Sequence, residues 1–205
     1  MRKLLKIFGI ICLIIILLLA TFIVYLMIKS SRWRKEFESS INSEYVVDQT
    51  SEIEERLNER IEEYILSGDK TDFIIFTPQE VSQIIFNSLT DITADGWIEI
   101  TSVYVKPAER IWNICALMNL QGNRKLKAWV CTDVTKDDMQ TAQLYITNLA
   151  IQGVDIGTVF PSILTKVNQG IAEALVVANE NGFVGRVLEN MEIEREQLIV
   201  KGSLY

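Results

Sequence analysis

The chain has 205 residues, 49% of them apolar, which is room for one membrane segment and one folded domain. It contains no histidine, so His-based triads, His general bases and His-containing metal sites are excluded. Of its 20 bases, seven (Arg2, Lys3, Lys6, Lys29, Arg32, Arg34, Lys35) lie in residues 1–35, which hold no acid; the other 13 stand against all 27 acids, leaving residues 36–205 at −14. A domain that acidic repels phosphate backbones, so nucleic acid is not an expected partner, whereas the basic clusters sit where lipid headgroups would meet them.

Ile7 to Ile28 reads IFGIICLIIILLLATFIVYLMI, without a charge. As a helix it spans about 33 Å, enough for a hydrocarbon core of about 30 Å. A cleavable signal peptide would have a shorter apolar run and a small-x-small site, but this run ends in the bulky Tyr25-Leu26-Met27-Ile28. Cys12 follows Ile11, without the small residue of a lipoprotein signal. The expectation is an uncleaved single-pass signal-anchor in the plasma (inner) membrane, contacting lipids through residues 7–28. Three bases precede the run and four follow it, so the positive-inside count does not decide orientation. A short cationic tail is harder to move outward than a domain. Residues 1–6 are therefore read as a cytoplasmic tail, 29–50 as a juxtamembrane segment and 51–205 as an extracytoplasmic α+β domain.

Trp33, Phe37, Ile41 and Tyr45 recur every four residues and predict that the anchor helix continues beyond the lipid. Ser51-Glu52-Ile53-Glu54 has the form of a capping box opening a helix with the stripe Ile53, Leu57, Ile61, Tyr64 and Ile65, stopped at Gly68. Phe73–Phe76 reads as a short buried strand. Thr77-Pro78-Gln79-Glu80 then caps a helix that buries Val81, Ile84, Ile85 and Leu89. Asp95-Gly96 turns the chain into a strand over about 97–106, continuing through Pro107 to Arg110. Alternation in Trp112, Ile114, Ala116, Met118 and Leu120, and again in Leu126, Ala128 and Val130, predicts a hairpin around Gly122-Asn123-Arg124. Its register pairs Leu120 with Leu126, Met118 with Ala128 and Ala116 with Val130 on one core face, joined by Val103 and Val105. A strand over about 141–149 adds Leu144 and Ile146, completing a four-stranded antiparallel meander. A helix over 161–180 follows, with the stripe Ile163, Leu164, Val167, Ile171, Ala174, Leu175 and Ala178. A last hairpin sets Ile193 against Leu198, Met191 against Val200 and Val187 against Leu204. The fold class is α+β: a transmembrane helix, then one antiparallel β-meander domain packed with helices.

The same register sets Cys115 opposite Cys131 on the second sheet face, near disulfide range. Outside the cytoplasm they can oxidise; otherwise they are packed thiols. That face also carries Tyr104, Leu117, Trp129 and Tyr145, which are candidate ligand-facing residues if no second layer covers them. Asp91, Asp95 and Glu99 cluster at a turn, but their spacing does not match a calcium loop, and Asp137-Asp138 reads as a solvated loop. No phosphate-cradling glycine loop or nucleophile elbow is present, so neither a metal, a cofactor nor a catalytic residue is assigned.

The order of basic tail, anchor, then strand–Thr-x-x-Glu–helix (FIIFTPQEVSQIIFNSL) resembles the YpmS-like family of membrane-anchored bacterial proteins. VDIGTVFPSILTKVNQGI and the terminal EIEREQLIVKGSLY carry the same resemblance, which extends more distantly to TULIP-like lipid-binding domains, where a long helix packs in a curled sheet. It implies a non-enzymatic cell-envelope domain handling lipids. The leading expectation is thus binding of a lipid, another apolar ligand or an envelope partner at the membrane surface. The alternatives are a membrane-tethered scaffold with no small ligand, and a carboxylate-dependent envelope hydrolase, for which no acid pair can be placed.

Overall fold

The computed structural model describes residues 2–48, 53–67, 71–94, 96–120, 127–136, 142–180 and 186–203. Side chains are described throughout these except at 2–17, 19, 20, 71, 72, 178 and 179. The chain divides into two compact units, residues 1–40 and 41–205.

The first unit is one helix, α1 (Arg2–Ser40). Its described apolar side chains are open to the surroundings, with Leu18, Phe22, Ile23, Val24, Met27 and Ile28 each more than half exposed. Trp33 and Phe37 stack one turn apart, ring centroids at 4.7 Å. Among the described residues no helix is long and apolar enough to cross a membrane. Of the expected span, residues 7–17, 19 and 20 lie outside those with described side chains. The helical repeat expected through Tyr45 ends at Ser40; Ser43–Tyr45 forms a 3₁₀ turn capped by the Asn42 carboxamide oxygen.

The second unit is α+β with two antiparallel sheets, not one meander. Its elements are β1 (Val46–Asp48), α2 (Glu54–Leu66), β2 (Thr71–Phe76), α3 (Pro78–Thr93), β3 (Ile98–Lys106), β4 (Ile111–Leu120), β5 (Lys127–Thr135), β6 (Tyr145–Ile151), β7 (Val154–Asp155), α4 (Ile156–Val159), α5 (Pro161–Glu180), β8 (Val187–Ile193) and β9 (Leu198–Ser203). The main sheet has the order β1-β3-β4-β5-β6-β7, so the predicted meander β3–β6 gains a short strand at each edge. β1 makes the folded unit begin ahead of residue 51, because Val47 is fully buried beside Val103. The smaller sheet has the order β2-β9-β8.

The central hairpin adopts the register that alternation predicts, with Met118 opposite Ala128, Ala116 opposite Val130 and Cys115 opposite Cys131. Leu126 and the turn Gly122-Asn123-Arg124 lie outside the described residues. One row of the core face runs unbroken across the sheet: Val47, Val103, Ala116, Val130, Ile151, Val154. Bulges correct the simple two-residue period. One at Thr101 lets Ile100 and Val103 share the core face; one at Glu189 makes Val187 pair with Ser203 instead of Leu204 and puts Leu188 in the core. Ile193–Leu198 and Met191–Val200 pair as expected.

α3 is capped as its sequence demands. The Thr77 hydroxyl accepts from Glu80 N–H, and the Glu80 carboxylate accepts from Thr77 N–H at 2.7 Å. The helix packs Phe86 and Leu89 over the β1–β3–β4 end of the core face. α2 starts at Glu54 after Ile53, without a side-chain cap; Ser51 and Gly68 lie outside the described residues. Leu57 and Tyr64 are buried, whereas Ile65, expected in the stripe, is 38% exposed. α5 lies along β6, where the Asn168 carboxamide bonds both the N–H and the C=O of Ile146 at 2.7 and 2.9 Å and so satisfies an open strand edge. Only part of its expected stripe turns inward; Ile163 and Val167 are exposed, Leu175 packs against the core.

Candidate functional site

The smaller sheet closes over the β4–β6 end of the core face. Its inner face is built from two cross-strand rows, Ile74–Val200–Met191 and Phe76–Leu198–Ile193. Opposite them stand Trp112, Ile114 and Val134 from the main sheet with Leu144 just ahead of β6, and Ile61, Val81, Ile84 and Ile85 from α2 and α3 form the side. The two sheets are tied at their rims. Trp112 Nε1–H donates to Glu194 C=O at 2.7 Å, and the Lys136 ammonium donates to the Asn190 side chain and Met191 C=O. On the helix side, Arg60 pairs with Glu80 and donates to Ile75 C=O, bolting α2 to α3 and β2.

These layers do not fill the space between them. The side chains leave a cavity of about 330 Å³. Its lining is almost wholly aliphatic and aromatic, and at one place polar residues border it without turning polar surface to the space. There Tyr64, Arg186 and Gly202 meet. Arg186 is 1% exposed; its guanidinium lies 4.6 Å over the Tyr64 ring and donates through Nη2 to the Ser67 carbonyl and hydroxyl at 2.7 and 2.6 Å. Gly202 is required there, because a Cβ would stand 2.8 Å from the Tyr64 hydroxyl and 3.2 Å from Val187 C=O.

The residues that the sequence pattern singles out as ligand-facing lie elsewhere. Tyr104, Leu117, Trp129 and Tyr145 are on the opposite face of the main sheet, and none of them lines the cavity. Tyr104 and Trp129 are buried there, while Leu117 and Tyr145 are half-buried. The physical reason is the two-residue period: Val105 and Ala116 face the core, so Tyr104 and Leu117 must point away. Cys115 and Cys131 join in a disulfide on that same face, Cα atoms 4.0 Å apart, both buried, in a row that continues to Tyr104 and Ala150. Beside them the Asn113 and Asn148 carboxamides donate to the two oxygens of Asp133 at 2.7 and 3.1 Å. This face carries a disulfide, two buried aromatic side chains and a closed polar network.

The acids weighed for metal or hydrolytic chemistry do not converge. Among the described residues no group of three or more His, Cys, Asp or Glu side chains is assembled. Asp91 is exposed, Glu99 accepts from Asn119 at 3.1 Å, and Asp95, Asp137 and Asp138 lie outside the described residues. Glu80, the buried carboxylate, is held by Arg60 and by the Thr77 cap. Asp155 caps the single turn of α4, and its carboxyl is held below the usual range because it accepts from the Thr158 hydroxyl and N–H.

Sequence reasoning finds most of the cavity wall as core and misses that it is a cavity. Alternation shows that Trp112, Ile114 and Ile193 face inward, but carries no information on whether the facing layers interdigitate. Arg186 has no motif around it; its one signal is a base at the start of an apolar strand. No family model, no curated protein and no solved structure matches the chain.

Proposed function

We propose that this protein is a membrane-anchored, non-enzymatic binding module that holds a lipid or similar apolar ligand between its two sheets. The observation that carries the reading is the lining of the inter-sheet cavity, aliphatic and aromatic apart from its Arg186 end. The lining supports an apolar chain over a polar metabolite, since nothing along the wall could replace a polar ligand's hydrogen bonds with water. Three further features support the setting. The uncharged run Ile7–Ile28 lies inside α1, whose described apolar side chains are exposed as a lipid-facing helix requires. Seven bases flank it in residues 1–35. The Cys115–Cys131 disulfide fits a domain outside the reducing cytoplasm.

The test is native mass spectrometry of the full-length chain released from its own membranes, beside a Val134→Trp variant that fills the space. The expected outcome is a lipid-mass adduct on the unmodified chain that is lost in V134W. A bare protein mass in both, with V134W as well folded as the parent, would overturn the reading.

A partner-binding role is favoured by a separate observation. Val159, Phe160, Val176 and Val177 remain more than half exposed along α4 and α5. Crosslinking from position 177 in cells should then capture one defined envelope protein, and diffuse labelling of neighbours would remove the support.

A further inference from the structure

We propose that α5 docks antiparallel against α5 of a second copy of this chain, through the row Ile163, Val167, Gly170, Ala174 and Val177. The inference rests on the partner-binding reading above and names the partner.

α5 carries two rows of side chains with the same spacing. Leu164, Asn168, Ile171 and Leu175 are half-buried and serve the domain itself: Leu164 lies against Gly157, Asn168 bonds Ile146, and Leu175 packs against the core. One residue earlier in each case, about 100° round the helix, come Ile163, Val167, Gly170 and Ala174, and Val177 extends that row. All five are exposed, Val177 by more than half. They recur at alternating intervals of four and three residues, the spacing that keeps an apolar seam turned toward another helix.

Gly170 shows what kind of surface this row meets. Glycine inside a helix weakens it relative to alanine, and its own domain does not require it. Among the described residues, a Cβ at Gly170 would meet nothing within 4 Å. With Ala174 it leaves a notch in an apolar row, a shape that lets a second helix approach closely. A bilayer surface needs no notch, and α5 offers anionic lipid one base, Lys166, against Glu173 and Glu180.

The occupant follows from self-complementarity. Setting Val167 against Gly170 of a second, antiparallel copy also sets Ile163 against Ala174, and two-fold symmetry repeats both contacts. Large side chains then face small ones. Val177 falls opposite Phe160, which precedes α5 and is also more than half exposed. A parallel pair in register would set Ile163 on Ile163 and Gly170 on Gly170, bulk on bulk and gap on gap. Charge obeys the same symmetry. Lys166 and Glu173 flank the row on one side, one heptad apart, so the antiparallel pair brings Lys166 beside Glu173 of the second copy, and the reverse. Such exposed pairs fix orientation more than strength. The −14 of residues 36–205 repels at long range, but salt screens it beyond about 8 Å, and at contact this flank presents opposite charges.

The experiment uses the full-length chain in membranes, in a Cys12→Ser background, as two differently tagged copies. One carries Ile163→Cys and the other Ala174→Cys, and mild oxidation traps neighbours as a mixed dimer on a non-reducing gel. The expected yield is about five-fold or more above that of two Ile163→Cys copies. Gly170→Leu, which fills the notch and meets open space in its own domain, should cut the yield about five-fold or more, with a urea midpoint no lower than the parent's. Lys166→Glu should lower the yield, and adding Glu173→Lys to the same chain should restore it. A 163–163 yield equal to the 163–174 yield overturns the arrangement, as does a yield that neither G170L nor K166E lowers. Absence of the mixed dimer, with position 177 capturing a different protein, overturns self-pairing and leaves the partner-binding reading standing. Absence of the mixed dimer with diffuse labelling of lipid and neighbours from position 177 removes both.

Discussion

The two faces of the main sheet are built from the same strands and solve opposite problems. On one, Cys115 and Cys131 are bonded, Tyr104 and Trp129 are buried, and Asn113, Asp133 and Asn148 close a polar network. On the other, Trp112, Ile114, Val134 and Leu144 look across a gap toward β2, β8 and β9. The sealed face carries covalent and hydrogen-bonded locks, and the open face is held at its rims by Trp112, Lys136 and the Arg60–Glu80 pair. A layered domain can keep a cavity only if something other than interdigitation holds the layers in place, and here the locks lie around the space, not across it.

Three variants break this contrast, in decreasing order of effect. Trp112→Ala removes both wall area and the bond to Glu194, and should cost about 3–5 kcal/mol, read as a lower urea midpoint. An effect under about 1 kcal/mol would mean that the two sheets are held mainly elsewhere. Replacing Cys115 and Cys131 together by alanine should cost about 3 kcal/mol for a loop of this length while leaving ligand uptake unchanged, because neither residue lines the cavity. Loss of uptake in that variant would show that the sealed face shapes the open one. Alkylation of the intact chain in cells, with and without reductant, checks the bond itself and the side of the membrane. Glu80→Ala unties α2 from α3 and opens the α3 cap, at about 1–3 kcal/mol, and should loosen uptake along with stability.

The smallest effect sharpens the comparison by lying outside both faces. The Asp155 carboxylate is stabilised in the folded state, so its contribution is full above the unfolded carboxylate value of about 4 and is lost as pH falls through the lower folded value. Asp155→Ala should therefore differ from the parent at neutral pH and converge with it in acid. A difference that persists unchanged to low pH would contradict the cap.

Much of this arrangement is legible in the chain. Alternation in 112–120 and 126–130 decides the central register, because a one-residue slip would turn every apolar side chain to the wrong face. Thr77-Pro78-Gln79-Glu80 decides where α3 begins, since cap, proline and box satisfy the same few N–H groups. Such rules work because they join residues close in sequence. Bulges at Thr101 and Glu189 escape them: an inserted residue changes which side chains face inward, and only the pairing with a distant strand reveals it.

By itself, then, the sequence determined the charge split, the uncharged run at 7–28, the absence of histidine, the hairpin registers near 115–131 and 193–198, and the facing of Cys115 and Cys131. Only the tertiary structure decided that β2 joins β8 and β9 in a second sheet, that a space remains between this sheet and the main one, and that Arg186 reaches Tyr64 at one end of it. Local patterns record which way a side chain points. Whether two layers meet depends on bulges, rim contacts and helix placement contributed by residues far apart in the chain, and no short window of sequence contains them.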